Sequence, residues 1–126
     1  MFIIDLMSRV PVYEQIINQV EEQILIGILK AGDKMPSVRS LSMELSINPN
    51  TIQKAYTELD RKQLIVTVPG KGAFVSDKAN QVILSDSRDK LMELGNIVRQ
   101  MYLAGIDKEE IIDIVNKVYS GIEIGK

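Results

Sequence analysis

The chain has 126 residues, of which 45% are hydrophobic and 25% charged, with a formal net charge of −2 and neither cysteine nor histidine. Its length suits one ordinary domain with a small appendage, while the missing cysteine excludes disulfides and the missing histidine removes the commonest general base and metal ligand. No acid/base pair stands at catalytic spacing and no signal peptide or membrane span is apparent, so we expect a cytoplasmic, non-enzymatic protein without metal or cofactor.

Two amphipathic helices are predicted in the first third of the chain. The apolar residues of the first recur at helical spacing, at Tyr13, Ile16, Ile17, Val20, Ile24 and Ile28. With Pro11 near its start and Gly32 after its end, this helix is predicted to run for roughly five turns. The second begins after Ser37, a favourable N-cap residue, and its apolar face comprises Val38, Leu41 and Leu45.

A third helix is predicted only about three residues after the second. Asn48 is a favourable N-cap and Pro49 a favourable first residue, and so short a link forces a steep crossing, the helix-turn-helix arrangement. Two strand-like runs, LIVTV and AFVS, follow and are joined by Pro69-Gly70-Lys71-Gly72, a composition typical of a tight hairpin. Together these elements predict a mostly α fold with a small β-hairpin wing, a winged helix-turn-helix.

One face of the third helix is predicted to be polar. The buried face comprises Ile52, Ala55, Tyr56 and Leu59, and the opposite face carries Asn50, Thr51, Gln53, Lys54 and Thr57. Asn and Gln can pair with adenine in the major groove and Lys with guanine or phosphate, but such a face is equally typical of a solvated helix. The tight turn before the helix, its outward-pointing first amides and the lysine-tipped hairpin after it favour DNA. Residues 34–71 also hold six cations against three anions.

The remainder of the chain predicts a linker over residues 76–86 and then two helices. Their apolar stripes comprise Leu91, Leu94, Val98, Met101 and Tyr102 in the first, and Ile111, Val115 and Val118 in the second. Gly105 is predicted to close the first helix, and Asp107 to cap the second in a capping box with Glu110. Two helices in a hairpin leave the outer side of each stripe exposed, so we expect the stripes to pair with a second copy in a homodimer.

Several spaced motifs resemble the winged-helix DNA-binding domain of the GntR family of bacterial transcription regulators. They are PSVR at 36–39, NPNT at 48–51, KAY at 54–56 and GKGAFV at 70–75, and the resemblance covers about residues 10–76. The short two-helix tail is similar to that of the YtrA-like subfamily, in which it serves dimerisation rather than ligand binding. The resemblance implies a DNA-binding domain over 1–76, a linker and dimerisation tail over 77–126, and a repressor that binds a palindromic double-stranded operator.

The resemblance also implies DNA-binding roles for ten residues, namely Ser37, Arg39, Asn48, Asn50, Thr51, Gln53, Lys54, Tyr56, Gly70 and Lys71. By residue type alone, Ser37 is foremost a helix cap and Tyr56 a core residue with its hydroxyl at the rim, while Arg39 is either a solvated charge or a DNA contact. The smallness of the turn glycines would let Lys71 enter a narrow groove. Some family members carry arginine where this chain has Pro49 and Gln53, so strong guanine reading is not expected from this helix.

A winged-helix protein–protein adaptor without specific DNA binding is the alternative prediction. Its polar third helix would dock a partner protein, and binding would lack the steep salt dependence of a DNA complex. The 46 residues from position 81 onward are too few for an enclosed pocket. A small-molecule effector, which the sequence does not identify, would therefore bind at the dimer interface or between the domains.

Overall fold

The computed structural model describes residues 2–121. Its elements in chain order are α1 (Val12–Leu25), α2 (Val38–Leu45), α3 (Pro49–Arg61), β1 (Ile65–Val68), β2 (Gly72–Val75), α4 (Ala79–Leu103) and α5 (Lys108–Tyr119). The chain divides into two compact units, Met1–Ser85 and Asp86–Lys126. Helices with one small antiparallel hairpin confirm the predicted fold class. No helix within residues 2–121 combines the length and apolarity that a membrane span requires.

The first helix is shorter than its apolar pattern predicts. α1 ends at Leu25 after 14 residues, so the prediction of about five turns closed near Gly32 is wrong. Gly27 adopts a φ of +83°, and the amides of Ile28 and Leu29 both donate to the carbonyl oxygen of Gln23, at 2.9 and 3.0 Å. This left-handed turn stops the helix early because its hydrogen bonds use the carbonyl that a further turn would need. Ile28 is consequently exposed.

The apolar faces of α1, α2 and α3 meet in the core of the first unit. The largest side chains that are almost completely buried are Ile16, Val20, Leu41, Ile52, Leu59, Leu64 and Ile65. All four residues predicted for the buried face of α3 are buried, whereas Val38 and Leu45 of α2 are only partly so. Ala79 and Ile83 of α4 belong to the same core. The stretch predicted as a linker is helical from Ala79 onward. Ala79 and Ile83 lie one turn apart on one face of this helix, so both side chains can pack into the core.

The starts of α2 and α3 follow their capping residues as predicted. The Oγ of Ser37 accepts a hydrogen bond from the Ser40 amide at 3.0 Å, and the Oδ1 of Asn48 accepts one from the Asn50 amide at 2.8 Å. Three residues separate the two helices, and the first of them, Ser46, adopts a left-handed conformation with a φ of +55°. The helix-turn-helix geometry thus arises from local backbone chemistry.

The hairpin is a wing with a third, very short strand alongside it. β1 and β2 pair antiparallel, with Val68 opposite Gly72. The Lys71 amide donates to the Val68 carbonyl at 3.0 Å and Gly70 has a φ of +77°, as the third position of a type II turn requires. On the other edge of β2, residues 33–35 add backbone hydrogen bonds, so both edges of this strand are paired.

The N-terminal segment lies along α1. The side-chain amide of Gln19 accepts a hydrogen bond from the backbone amide of Ile3 and donates one to the Ile3 carbonyl oxygen. The side-chain amide of Gln15 forms the same pair of hydrogen bonds with the backbone of Asp5. Phe2 is buried in the core of the first unit. Two glutamines, one turn apart on the helix, therefore pair with an extended segment much as a neighbouring strand would.

The second unit contains the later part of α4 and all of α5. Gly105 has a φ of +85° and follows the end of α4, as predicted. Asp107 occupies the N-cap position of α5, but its side chain accepts no capping hydrogen bond. The predicted capping box with Glu110 is therefore wrong. The first turn of α5 is exposed to solvent, so water can satisfy its amides instead.

Candidate nucleic-acid interface

The exposed face of α3 carries the side chains that were predicted to read bases. Asn50, Gln53 and Lys54 are exposed and Thr51 is half-buried. The Nε2 of Gln53 donates to the Oγ1 of Thr57 at 3.2 Å, which holds two polar side chains together one turn apart. Because the opposite face of the helix is buried in the core, these groups cannot turn inward. The helix therefore offers a fixed row of donors and acceptors to solvent.

Lys54 is held at one side of this face by an aromatic ring. Its ammonium nitrogen lies 3.9 Å from the centroid of the Tyr13 ring, within the range of a cation–π interaction. The Tyr13 hydroxyl donates to the Oε1 of Glu14 at 3.3 Å, and the negative charge of Glu14 raises the pKa of Tyr13. The contact positions Lys54 on the side of α3 that faces α1.

Tyr56 connects the middle of α3 to the start of α2. Its hydroxyl donates to the carbonyl oxygen of Pro36 at 2.6 Å, and burial raises the pKa of Tyr56. The ring is only 5% exposed, as expected for a core residue, and its hydroxyl, which was predicted to lie at the rim, is engaged with Pro36. In the described geometry Tyr56 thus positions the two helices relative to each other.

The residues at the start of α2 lie at the surface beside this connection. Ser37 is exposed, with its hydroxyl used as the helix cap. Arg39 is exposed on the first turn and has no salt bridge to a carboxylate within residues 2–121. A guanidinium group without a protein anion is available to bind a phosphate or a base edge.

A cleft separates the polar face of α3 from the wing. It measures about 340 Å³ and is lined by Gln53, Tyr56, Thr57, Asp60, Arg61 and Thr67. The Thr67 amide donates to the Oδ2 of Asp60 at 3.2 Å, which fastens β1 to the last turns of α3. Arg61 forms a salt bridge with Glu58 at 2.9 Å instead of pointing a free charge into the cleft. The wing is therefore held in a set position beside the polar face.

The wing tip presents a lysine to solvent. Gly70 and Lys71 are both exposed, and the turn uses the backbone amide of Lys71 while leaving its side chain outside. Lys34 also lies on the wing through its pairing with Phe74. In the sequence, Lys34 was counted only among the six cations of residues 34–71. A β-bridge between residues that are so distant in sequence leaves no local pattern from which it could be predicted.

The predicted dimerisation residues carry uncovered apolar surface. Val98, Met101 and Ile111 are half-buried, and the others, which are Leu91, Leu94, Tyr102, Val115 and Val118, are exposed. No residue of α5, from Lys108 to Tyr119, is buried. A groove of about 580 Å³ within the second unit brings together Val98, Tyr102 and Ile111 from the predicted set with Ile106 and Ile112. Exposed apolar side chains that line one groove are typical of an interaction site.

Comparison with known proteins gives a consistent result along the chain. The family model described as "Bacterial regulatory proteins, gntR family" matches residues 12–75, from α1 to the end of β2. Over 124 residues the chain is 37% identical to the HTH-type transcriptional repressor YtrA of Bacillus subtilis (strain 168), an alignment that covers 98% of this chain and 95% of that protein.

Two solved structures extend the similarity to the whole fold. A GntR family transcriptional regulator from Listeria monocytogenes is 38% identical with a TM-score of 0.70, covering 90% of this chain and 98% of its own. YtrA from Sulfolobus acidocaldarius, a GntR-family transcription factor, is 32% identical with a TM-score of 0.57, covering 96% and 98%. The similarity therefore includes the helices after the wing.

Proposed function

The chain belongs to the GntR family of bacterial regulatory proteins, and we propose that it is a repressor that binds a palindromic operator as a homodimer. Members of this family are DNA-binding transcription regulators, so DNA is the partner of the helix-turn-helix unit. The repressor assignment follows the similarity to YtrA, which is described as a transcriptional repressor. In this proposal residues 1–76 bind DNA and residues 77–126 join two copies. The protein acts in the cytoplasm, where bacterial DNA lies.

The observation that carries the proposal is the arrangement of the polar face of α3 and the lysine-tipped wing around one cleft. Two hydrogen bonds between different elements support it, from Tyr56 to Pro36 and from Thr67 to Asp60. With α3 in the major groove, a wing held at this position would reach the neighbouring minor groove. A polar helix face that only contacts solvent would require neither a wing beside it nor a fixed distance between the helix and the wing.

Within this interface the residues divide by chemistry. We assign base reading to Asn50 and Gln53, whose side-chain amides can donate and accept together. Arg39 supplies positive charge at the start of α2, Lys54 on α3 and Lys71 at the wing tip. The remaining predicted residues, which are Ser37, Asn48, Thr51, Tyr56 and Gly70, shape the helix starts, the helix contact and the turn that present these groups.

The exposed apolar stripes of α4 and α5 support the proposed homodimer. Val115 and Val118 are 46% and 51% exposed, values that a second copy of the same helices would reduce by covering them. A twofold pair of this kind presents two α3 helices to the two halves of a palindrome. The tail thus supplies the symmetry that the operator requires.

Footprinting on the DNA upstream of the protein's own gene tests the proposal. We expect two protected half-sites related by a twofold axis, and reduced transcription from that promoter in a purified system when the protein is added. Protection without dyad symmetry would contradict the palindromic homodimer. Increased transcription at a protected site would contradict the assignment as a repressor.

A further inference from the structure

Lys34 is fixed to the wing by its backbone. It forms a β-bridge with Phe74 on the edge of β2 that faces away from β1. On either side of the bridge, the Met35 amide donates to the Ala73 carbonyl and the Val75 amide donates to the Asp33 carbonyl, both at 2.8 Å. Residues that oppose each other in an antiparallel pair project from the same face of the sheet. Lys34 therefore shares a face with Phe74.

The Lys34 side chain runs along that face toward the wing tip. Gly72 lies two residues from Phe74 on the same face, and a Cβ built on Gly72 would lie 3.1 Å from the Cε of Lys34 and 3.9 Å from its Nζ. Gly72 also has a φ of +119°, which disfavours any other residue. The lack of a side chain at position 72 thus leaves room for the lysine to pass beside the turn that carries Lys71.

The two lysines have different surroundings at the tip. Lys71 lies in the turn itself, whereas Lys34 lies on the face that also carries Val66 and Phe74. Within residues 2–121 no carboxylate forms a salt bridge with either lysine. The acidic residue nearest to Lys34 in sequence is Asp33, whose carboxylate accepts a hydrogen bond from the Lys30 amide at 2.8 Å. Because Asp33 and Lys34 are adjacent in an extended strand, Asp33 projects to the opposite face. Neither ammonium group therefore has a carboxylate counterion in the part of the chain that the structure describes.

We propose that Lys34 is a further DNA contact, which binds a backbone phosphate on the outer side of the wing while Lys71 occupies the groove. This inference rests on the proposed placement of the wing at the DNA. A wing in the minor groove has one sugar–phosphate backbone on each side. Thr67 lines the cleft beside α3, and its neighbour Val66 shares the other face of the sheet with Lys34, so we infer that Lys34 faces the backbone on the side away from α3. Because a phosphate carries no sequence information, the contact contributes equally to specific and non-specific binding.

A purely structural role for Lys34 makes a different prediction, because its methylene groups could simply cover Phe74. Lys34→Met separates the two roles, since it keeps an unbranched apolar side chain and removes the charge. Lys30→Met is the matched control with the same change in net charge, and Lys71→Met reports whether the wing is at the DNA. The probes are a duplex from upstream of the protein's own gene and a scrambled duplex of equal length, each titrated over a range of salt concentrations.

We expect Lys34→Met to weaken binding to both duplexes by roughly three- to tenfold and to reduce the salt slope by about one, with Lys30→Met unchanged. If Lys71→Met has these effects and Lys34→Met has none, Lys34 only covers the wing and the inference fails, while the wing placement stands. If neither variant changes binding, the wing does not touch DNA and both fail. A loss confined to the own-gene duplex would also overturn the inference, because it would indicate a base contact.

Discussion

The hydroxyl of Tyr56 donates to the carbonyl oxygen of Pro36 at 2.6 Å and thereby joins the middle of α3 to the residue that precedes the cap of α2. Tyr56→Phe removes the donor and leaves the Pro36 carbonyl without it. We expect the free energy of unfolding, measured by urea titration, to fall by about 1–2 kcal/mol. An unchanged value would show that the bond does not stabilise the helix pair.

The same tyrosine predicts a specific alkaline behaviour. Burial raises the pKa of Tyr56 above its ordinary value of 10.0, so the folded state holds the phenolic proton more tightly than the unfolded state. This contribution to stability is complete below about pH 10 and decreases as the pH rises further. The parent protein should therefore lose more stability than Tyr56→Phe between about pH 10 and 11.5. Tyr119→Phe, at a position that is 89% exposed, controls for general alkaline effects.

Arg39→Ala should weaken DNA binding without affecting the fold. The side chain is exposed and forms no salt bridge within residues 2–121, so its removal costs little stability. A lost contact to a base or phosphate typically costs about 1–3 kcal/mol, which corresponds to roughly ten- to hundredfold in affinity. Arg88→Ala in the second unit is the control for loss of a positive charge. Normal affinity together with a normal thermal unfolding curve would identify Arg39 as a solvated charge.

Gln53→Ala should change which base is preferred at about one position in each half-site, because an amide side chain reads a single base pair. Lys71→Ala should instead weaken binding to all sequences and reduce the salt slope by about one. Selection from a randomised operator library measures the first effect. Thr57→Val removes the partner of Gln53 and retains Gln53 itself, so a base preference that shifts equally in this variant would argue against direct reading by Gln53.

The dimer depends on apolar residues of the tail, and single charges placed there test it. Val115→Glu should convert the protein to a monomer, because burying a carboxylate in an apolar interface is costly. Met92→Glu is the control, since Met92 is 81% exposed and lies away from the stripe of Leu94 and Val98. Sedimentation measures the outcome. A dimeric Val115→Glu protein would show that α5 is not part of the interface.

The features that could be predicted from the sequence are those that depend on neighbouring residues. Ser37 and Asn48 act through amides two or three positions away, so the starts of α2 and α3 are readable from local chemistry. The turn at Gly70 is equally local. The polar face of α3 follows from the spacing of its apolar residues, which is set by the helical repeat.

One feature that sequence reasoning missed, the early end of α1, depends on a local turn, and the others depend on tertiary contacts. Ile28 continues an apolar pattern that a left-handed glycine interrupts, so the end of α1 is decided by the backbone at Gly27. Ala79 and Ile83 pack into a core formed by residues distant in sequence, and polar Lys34 joins the sheet through backbone bonds alone. A fragment that is meant to retain the first core must accordingly extend to Ser85.

We propose that two copies of this chain bind one operator through α3 and the wing. Titration of the operator duplex with the whole protein over a range of salt concentrations, with stoichiometry determined at saturation, tests it most directly. We predict two chains for each duplex and an affinity that falls roughly 10³-fold or more between about 50 and 200 mM salt, as for proteins that contact about six or more phosphates. One chain for each duplex, or an affinity that salt leaves unchanged, would contradict the claim, and the second result would favour a protein–protein adaptor.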